Sequence, residues 1–271
     1  MNVYGIIGWP VSHSLSPAMH NAAFKALGVK ALYGLFPTPP EALKEAVSGL
    51  RALGIRGVSV TIPHKEKILP LLDELDEVAL RIRAANTVVN REGRLYGANT
   101  DWLGVYQALS ERISLKGRVV VVVGAGGAAR AAIFALKEAG AEVLIYNRTL
   151  ERAEKLARAF GARAFPLEAI SRAEGDVLLQ TTSVGLKEDR SPVPEEVLSR
   201  FKVVMDMVYQ PLETRLLREA RQAGCETIDG LTMLVYQGGE QFRLWTGLEP
   251  PLDLMRQAAE KELEEQKDGK F

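Results

Sequence analysis

Five consecutive valines, Val119–Val123, constrain the fold of this chain more than any other stretch. A run of this kind cannot alternate between a buried and a solvated face, so it predicts a strand buried on both sides, as in a parallel sheet covered by helices. Apolar residues then recur at helical spacing from Ala129 to Leu136, and Gly140 predicts the end of that helix. The stretch therefore predicts a strand, turn and helix of an α/β protein.

The turn between this strand and helix is rich in glycine. It has the form Gly124-x-Gly126-x-x-Ala129, in which glycines allow a tight turn and let the backbone approach a pyrophosphate at the helix N-terminus. Taken alone, the pattern also suits an ordinary turn from strand to helix. In this context it predicts a dinucleotide site, whose loop residues are Gly124, Ala125, Gly126, Gly127 and Ala128.

The end of the next predicted strand, residues 142–146, indicates which dinucleotide binds. An acid at this point would bond the ribose 2′-OH of NAD, whereas arginine accepts the 2′-phosphate of NADP. The chain has Asn147, Arg148 and Thr149 there and Arg152 in the following helix, which favours NADP(H). The alternative is two solvated arginines beside Thr149 as a helix N-cap.

Composition excludes several classes of protein. Lysine plus arginine equals aspartate plus glutamate, 34 each, which argues against nucleic acid or an anionic membrane as the main partner. A single cysteine, Cys225, excludes a disulfide framework. His13, His20 and His64 lack ligand spacing, so no metal site is expected. Without a signal segment or a long apolar run, the chain is expected to be cytoplasmic.

The first half of the chain alternates predicted strands with predicted helices. The strands are residues 3–7, 33–36 and 57–62, and the helices are expected to start at Ser16 as N-cap, at residue 40 and at residue 73. This order indicates a mainly parallel sheet with functional loops at the carboxyl ends of its strands, where Lys65 falls. Ser14 and Ser16 suit either turn and cap chemistry or the binding of a small anion.

The second half continues a doubly wound sheet. Predicted strands at residues 177–181 and 203–207 alternate with helices, and Gly230 leads into a last helical region with a solvated, frayed end from Lys267 to Phe271. The resulting fold class is α/β with two α/β domains. Residues 1–102, joined by C-terminal helices at 232–271, form one predicted domain, and residues 103–231 form a Rossmann-type domain.

Motifs along almost the whole chain resemble those of the shikimate dehydrogenase family. They are Ser14-Leu15-Ser16-Pro17 with His20-Asn21, Val60-Thr61-Ile62-Pro63-His64-Lys65, Ala85-Asn86-Thr87, Asn99-Thr100-Asp101-Trp102, the glycine-rich turn, Asn147-Arg148-Thr149, Asp206-Met207-Val208-Tyr209 and Gln237-Gly238-Gly239.

The resemblance implies reversible reduction of 3-dehydroshikimate to shikimate by NADPH, in a cleft between a substrate domain and an NADP-binding domain. It implies that Lys65 is the catalytic acid/base and Asp101 its partner. The residues implied to bind the ring carboxylate are Ser14, Ser16 and Tyr209, those implied to bind ring hydroxyls are Thr61, Asn86, Asp101 and Gln237, and those implied to lie by the nicotinamide are Met207 and Gly230. The protein is expected to be a monomer or a homodimer.

Other interpretations remain open at the level of sequence. Lys65 suits a solvated surface, and Asp101 suits a helix N-cap. An acid at the end of the strand before Asn147 would favour a quinate/shikimate dehydrogenase that uses NAD(H), and Asn147-Arg148-Thr149 does not provide one. A non-catalytic NADP-binding sensor would be suggested by loss of Lys65 or Asp101, and both are present. A phosphoryl-transfer enzyme would need Gly-Lys-Ser/Thr to close the glycine-rich turn, which it lacks.

Overall fold

Strands and helices alternate through most of the computed structural model, which describes residues 1–267. The strands are β1 Asn2–Gly8, β2 Ala31–Pro37, β3 Gly57–Val60, β4 Glu74–Leu75, β5 Thr87–Arg91, β6 Arg94–Ala98, β7 Val119–Val123, β8 Glu142–Asn147, β9 Arg163–Pro166, β10 Val177–Gln180, β11 Val203–Asp206 and β12 Glu226–Ile228. The helices are α1 Ser16–Ala26, α2 Leu43–Ala52, α3 Glu77–Ile82, α4 Asp101–Ser110, α5 Gly127–Glu138, α6 Leu150–Phe160, α7 Glu195–Leu198, α8 Arg215–Gln222, α9 Gly230–Thr246 and α10 Leu252–Lys267.

Two units contain these elements. Unit 1 consists of residues 1–100 together with the chain from residue 235 onward, and unit 2 consists of residues 101–234. The chain passes from one unit to the other between Thr100 and Asp101 and again inside α9. Of the frayed end expected from Lys267 to Phe271, Lys267 is the last residue of α10 and the rest lies outside the described residues.

The sheet of unit 1 is mixed. Its strand order is β2-β1-β3-β5-β6-β4, with β1 parallel to β2 and β3, and β4 parallel to β6. Strand β5 runs antiparallel to both β3 and β6. Its amino end therefore lies at the same sheet edge as the carboxyl ends of β3 and β6. A hairpin turn at Glu92-Gly93 joins β5 to β6, and both residues have positive φ, 54° and 89°.

Three local predictions for unit 1 were wrong in detail. Strand β3 ends at Val60, two residues before the predicted end. Ser16 is not the N-cap of α1, because Leu15 holds that position and the Ser14 hydroxyl accepts the Ser16 N–H at 3.3 Å. The helix predicted from residue 73 begins at Glu77, since β4 pairs with β6 and the Asp76 carboxylate caps α3 through the Ala79 N–H.

The sheet of unit 2 is wholly parallel, in the order β12-β11-β10-β7-β8-β9. Chain order reverses where β7 lies between β8 and β10, which is the arrangement of a Rossmann fold. Val120 to Val123 of β7 are at most 1% exposed, so the predicted strand buried on both faces is confirmed. The predicted α/β fold class is confirmed as well, although the short strands β9 and β12 were not predicted.

A buried polar cluster fixes the loops that follow β10 and β11 in unit 2. The carboxylate of Asp206 accepts hydrogen bonds from the Val208 N–H at 3.0 Å and the Thr214 hydroxyl at 2.7 Å. Gln180 donates to the same carboxylate at 3.3 Å and to the Val184 carbonyl at 3.0 Å. Burial raises the pKa of Asp206 to about 6, although its hydrogen bonds with Val208 and Thr214 oppose that shift.

We expect Gly57→Ala to destabilise unit 1. A Cβ at this position would overlap the Trp245 indole and lie 2.8 Å from the Val88 carbonyl, which accepts the Trp245 N–H at 3.0 Å. Overpacking and a lost hydrogen bond together correspond to a loss of about 2–4 kcal/mol in the free energy of unfolding. Gly49→Ala, where a Cβ meets open space within α2, should instead stabilise by about 0.5–1 kcal/mol. Equal urea midpoints for the two variants would contradict the packing argument.

We expect the stability of the wild type relative to Asp206→Asn to fall as pH rises from about 4 to about 6. The raised pKa means that folded Asp206 keeps a proton which the unfolded chain releases. The contribution of Asp206 to the free energy of unfolding is therefore fully present below about pH 4 and is lost as the pH rises through about 6. The change is at most about 3 kcal/mol. Urea unfolding at several pH values measures it, with the exposed Asp253→Asn as control. Parallel profiles for wild type and Asp206→Asn would refute the expectation.

Candidate functional site

One edge of the unit 1 sheet carries several of the predicted substrate-binding residues. The loops after β1 and β3 hold Ser14 and Thr61, and Asn86 directly precedes β5. Backbone hydrogen bonds join these segments, from the Val60 N–H to the Asn86 carbonyl at 2.7 Å and from the Ala85 N–H to the Lys65 carbonyl at 2.8 Å. The structure thus brings Thr61, Lys65 and Asn86 to a common edge.

Lys65 occupies a turn that its neighbour His64 holds in place. The His64 ring is fully buried and its Nε2 lies 2.7 Å from the Thr38 carbonyl oxygen, so Nε2 carries the proton. The His64 N–H also donates to the Thr61 carbonyl at 2.9 Å. Lys65 itself is partly buried, which differs from the solvated surface position that its charged neighbours suggest.

The predicted partner of Lys65 belongs to unit 2. Asp101 is the first residue of α4 and its side chain is buried, with 5% of the residue exposed. A carboxylate in the first turn of a helix is stabilised by the helix dipole, so the N-terminal position and a chemical role are compatible.

Asn86 is the centre of a buried polar group in unit 1. Its Nδ2 donates to the Thr100 hydroxyl at 2.9 Å and to Gln237 Oε1 at 3.2 Å. Its Oδ1 accepts from the Thr100 N–H and from the Thr87 hydroxyl, both at 2.7 Å. Two of the residues predicted to bind ring hydroxyls, Asn86 and Gln237, are therefore in direct contact.

The three residues predicted to bind a carboxylate divide between the units. Ser14 and Ser16 lie at the start of α1 in unit 1, and Ser16 is 5% exposed. Tyr209 follows β11 in unit 2, and burial raises the pKa of its hydroxyl. All three side chains end in neutral hydroxyl groups at neutral pH, which can donate hydrogen bonds to an anion.

The glycine-rich turn of unit 2 has the geometry of a phosphate cradle. Gly124 has φ +118°, and a Cβ there would overlap the Thr181 hydroxyl, so this position requires glycine. A Cβ at Gly126 or Gly127 would meet no atom within 4 Å, which leaves open space over the N-terminus of α5. Backbone N–H groups at such a helix start bind pyrophosphate, and the residues present therefore fit a dinucleotide.

Predicted 2′-phosphate ligands lie at the carboxyl end of β8. Asn147 ends this strand, and its side-chain amide donates to the Thr149 carbonyl at 2.8 Å. Thr149 is the N-cap residue of α6, but its hydroxyl makes no capping hydrogen bond. Among residues 1–267, neither Arg148 nor Arg152 forms an ion pair. Two guanidinium groups without a carboxylate partner suit a phosphate.

Met207 and Gly230, the predicted nicotinamide neighbours, touch each other in unit 2. A Cβ at Gly230 would lie 2.5 Å from the Met207 carbonyl oxygen, so only glycine allows the start of α9 to approach the loop after β11. The Asp229 carboxylate accepts from the Thr232 N–H at 2.8 Å, which fixes the first turn of the helix.

Several buried polar side chains behind these sites form hydrogen bonds that the sequence did not predict. They are Tyr33, Ser59, Gln180, Asp206 and Gln241. One signal was available for Gln241, because it follows Gln237 by four residues and thus lies on the same face of α9. Ser59 and Gln180 fall within apolar strands, where a lone polar residue gives no indication of its partner.

Three family models match the chain. The shikimate dehydrogenase substrate binding domain matches residues 6–88, the shikimate/quinate 5-dehydrogenase model matches residues 107–187, and the shikimate 5′-dehydrogenase C-terminal domain matches residues 230–260. The first of these falls within unit 1 and the second within unit 2.

Individual relatives agree with the family models. The shikimate dehydrogenase (NADP(+)) of Thermococcus kodakarensis is 52% identical over 261 residues, 95% of each chain. The shikimate 5-dehydrogenase of Thermus thermophilus, solved in complex with NADP(H) and shikimate, is 46% identical, with a TM-score of 0.91 over 97% of this chain and 100% of that one. The Listeria monocytogenes enzyme, solved with shikimate and NAD, is 36% identical, with a TM-score of 0.88 over 95% and 96%. The chain belongs to the NADP-dependent shikimate dehydrogenase family.

Proposed function

We propose that this protein catalyses the reversible reduction of 3-dehydroshikimate to shikimate with NADPH, a step of aromatic amino acid biosynthesis. The observation that carries the proposal is the common edge in unit 1, where backbone hydrogen bonds join the segments that hold Lys65, Thr61 and Asn86, and where Asn86 contacts Gln237. This edge offers an ammonium group together with amide and hydroxyl groups, the set that a polyhydroxylated ring with one carbonyl requires.

Lys65 is the proposed proton donor. Bound NADPH supplies the hydride for the C3 carbonyl carbon, and the carbonyl oxygen gains negative charge as the hydride arrives. The Lys65 ammonium stabilises that charge and transfers a proton to the oxygen, which gives the C3 hydroxyl of shikimate. In the reverse direction the neutral amine takes the proton back, and Asp101 is the proposed partner that orients the amine.

The remaining residues are proposed to bind and orient the two ligands. Hydroxyls of Ser14, Ser16 and Tyr209 hold the ring carboxylate by hydrogen bonds without a full ion pair. Thr61, Asn86, Asp101 and Gln237 hold the ring hydroxyls. The proposed cofactor contacts are the backbone of Gly124 to Ala128, the 2′-phosphate contacts of Asn147, Arg148, Thr149 and Arg152, and Met207 and Gly230 at the nicotinamide.

We also propose that the protein is cytoplasmic and that it is a monomer or a homodimer. A single buried cysteine is compatible with a reducing compartment. Separately, no helix within residues 1–267 is long and apolar enough to cross a membrane. Sedimentation of the purified protein over a range of concentrations measures the oligomeric state.

The proposed reaction is tested by mixing the protein with shikimate and NADP⁺ and following the absorbance of reduced nicotinamide. We expect Lys65→Met to lower kcat by at least about 100-fold with little change in KM, because the substitution removes the proton-transfer group. The exposed neighbour Lys67→Met is the control and should retain wild-type kcat. Near-normal turnover by Lys65→Met would remove Lys65 from the mechanism, and no turnover by the wild type would refute the function itself.

The choice of NADP over NAD is tested at α6. We expect Arg148→Ala with Arg152→Ala to raise the KM for NADP⁺ by about 10–100-fold, the loss of charge-assisted hydrogen bonds to a phosphate, and to leave the KM for NAD⁺ unchanged. Arg158→Ala is a matched control on the helix that carries Arg152, since its side chain is exposed and pairs with Glu154.

Equal changes in the KM for NADP⁺ and for NAD⁺ would contradict recognition of a 2′-phosphate by these arginines. The same assays discriminate the second candidate function, a quinate/shikimate dehydrogenase that uses NAD(H). A specific observation keeps that candidate in view, because the Listeria monocytogenes relative was solved with shikimate and NAD. Faster oxidation of quinate with NAD⁺ than of shikimate with NADP⁺ would favour it.

A further inference from the structure

A continuous series of hydrogen bonds runs through the interior of unit 1 and ends at Gln237. It begins at the Tyr33 hydroxyl and passes through Ser59, Gln241, Thr87 and Asn86. The Tyr33 hydroxyl donates to Ser59 Oγ at 2.6 Å, and Ser59 Oγ donates to Gln241 Oε1 at 2.6 Å. Asn86 and Gln237 are predicted to bind substrate, whereas Gln241, the third of the six side chains, has no role predicted from the sequence.

Two backbone groups fix the direction of this series. Gln241 Nε2 lies 2.9 Å from the Asn86 carbonyl oxygen, which can only accept, so this end of the Gln241 amide must be the donor. Asn86 Oδ1 lies 2.7 Å from the Thr100 N–H, which can only donate, so this end of the Asn86 amide must be the acceptor. If the Gln241 amide were reversed, its oxygen would face the Asn86 carbonyl oxygen. If the Asn86 amide were reversed, its nitrogen would face the Thr100 N–H.

The Thr87 hydroxyl, which lies between the Gln241 and Asn86 amides, must therefore accept from Gln241 and donate to Asn86. Gln241 Nε2 donates to Thr87 Oγ1 at 3.0 Å, and Thr87 Oγ1 in turn donates to Asn86 Oδ1 at 2.7 Å. With Oδ1 occupied as an acceptor, Asn86 presents Nδ2 to Gln237 Oε1 at 3.2 Å. Gln237 consequently accepts from Asn86 through Oε1, and its Nε2 is the donor end of the same amide.

Water cannot replace a member of this series. Tyr33, Thr87 and Gln241 are each at most 1% exposed, and the Tyr33 ring stacks on the buried His20 ring with centroids 4.5 Å apart. Burial raises the pKa of Tyr33, which keeps its hydroxyl protonated and able to donate, while hydrogen bonds with Ser59 and Ser16 oppose the shift. In such surroundings hydrogen bonds polarise one another, and an unmade one is costly.

We propose that Gln241 is a positioning residue, which directs the Thr87 hydroxyl onto Asn86 Oδ1 and so holds the Asn86 side chain, and through it Gln237, in the orientation that recognises substrate hydroxyl groups. The inference rests on the proposed function, in which Asn86 and Gln237 bind the ring hydroxyls of shikimate. Gln241 touches neither substrate nor cofactor in this scheme. It acts through the Asn86 carbonyl and the Thr87 hydroxyl, both of which it contacts directly.

Removal of the amide is the first test. Gln241→Met keeps the length of the side chain but can neither donate to Thr87 nor accept from Ser59, so the Thr87 hydroxyl loses its fixed direction. We expect the KM and the Kd for shikimate to rise by about 10-fold, with the KM for NADP⁺ unchanged. Calorimetry measures the Kd without turnover, so the inference is tested independently of the reaction.

A reversal of the series is the sharper test. An ionised Gln241→Glu side chain can only accept, so the Thr87 hydroxyl would turn toward it and abandon Asn86 Oδ1. Protonation of the new carboxyl restores a donor. We therefore expect the Kd of Gln241→Glu for shikimate, divided by the wild-type Kd at the same pH, to fall toward 1 near pH 5 and to rise toward pH 9. The buried His20 ring faces the same side chain, and a buried carboxylate can also weaken the fold. The comparison is therefore made at pH values where the unfolding midpoint of Gln241→Glu equals that of the wild type, because a purely structural role would leave the ratio at 1 there.

The exposed Gln222→Met in α8 is the matched control and should retain the wild-type Kd. Thermal unfolding of each variant shows whether the fold persists. A wild-type Kd for Gln241→Met, equal losses for shikimate and NADP⁺, or a flat pH ratio for Gln241→Glu would each overturn the inference while the proposed function stands. Failure of the wild type to bind shikimate would overturn both.

Discussion

The antiparallel pairing of β5 with both β3 and β6 is the constraint on which the candidate site of unit 1 depends. In a wholly parallel sheet the start of β5 would lie at the edge opposite to the ends of its neighbours. Reversal of this one strand places Asn86 beside the Val60 N–H and the loop that carries Lys65. The direction of β5 therefore decides that Asn86 and Lys65 lie at the same edge of the sheet, and their side chains supply the functional groups.

In unit 2 the loops that carry predicted site residues lie at one edge of the sheet without any antiparallel strand. All of its strands end at one edge, so the turn after β7, the arginines after β8 and the loop after β11 need no reversal to be near one another. What unit 2 requires is that neighbouring loops approach one another closely. Glycine at 124 and 230 admits the Thr181 hydroxyl and the Met207 carbonyl respectively, and the Asp206 carboxylate ties the loops after β10 and β11 together.

The sequence allowed the strongly periodic elements and the fold class to be predicted, because runs such as Val119–Val123 and the glycines that end helices have one dominant physical interpretation. It did not reveal that Asp76 would cap a helix and not lie within it, since that depends on the pairing of β4 with β6, in which Glu74 is opposite Tyr96, 22 residues further along the chain. The identity of Lys65, Asn86 and Gln237 as site residues came from motif resemblance and stays a prediction. Gln241 was missed because its partners, Ser59 and Asn86, are distant in the chain.

The division of α9 between the two units has a consequence for the order in which the protein can be completed. Unit 2 is one uninterrupted segment, so a ribosome has delivered all of it once residue 234 emerges. Unit 1 must wait, because Gln241 is separated from Asn86 by 155 positions and from Ser59 by 182. Until translation reaches α9, the Ser59 hydroxyl and the Thr87 hydroxyl lack their amide partner. Residues 1–100 of unit 1 are therefore synthesised first, but the hydrogen bonds in the interior of unit 1 are completed only after all of unit 2 has been made.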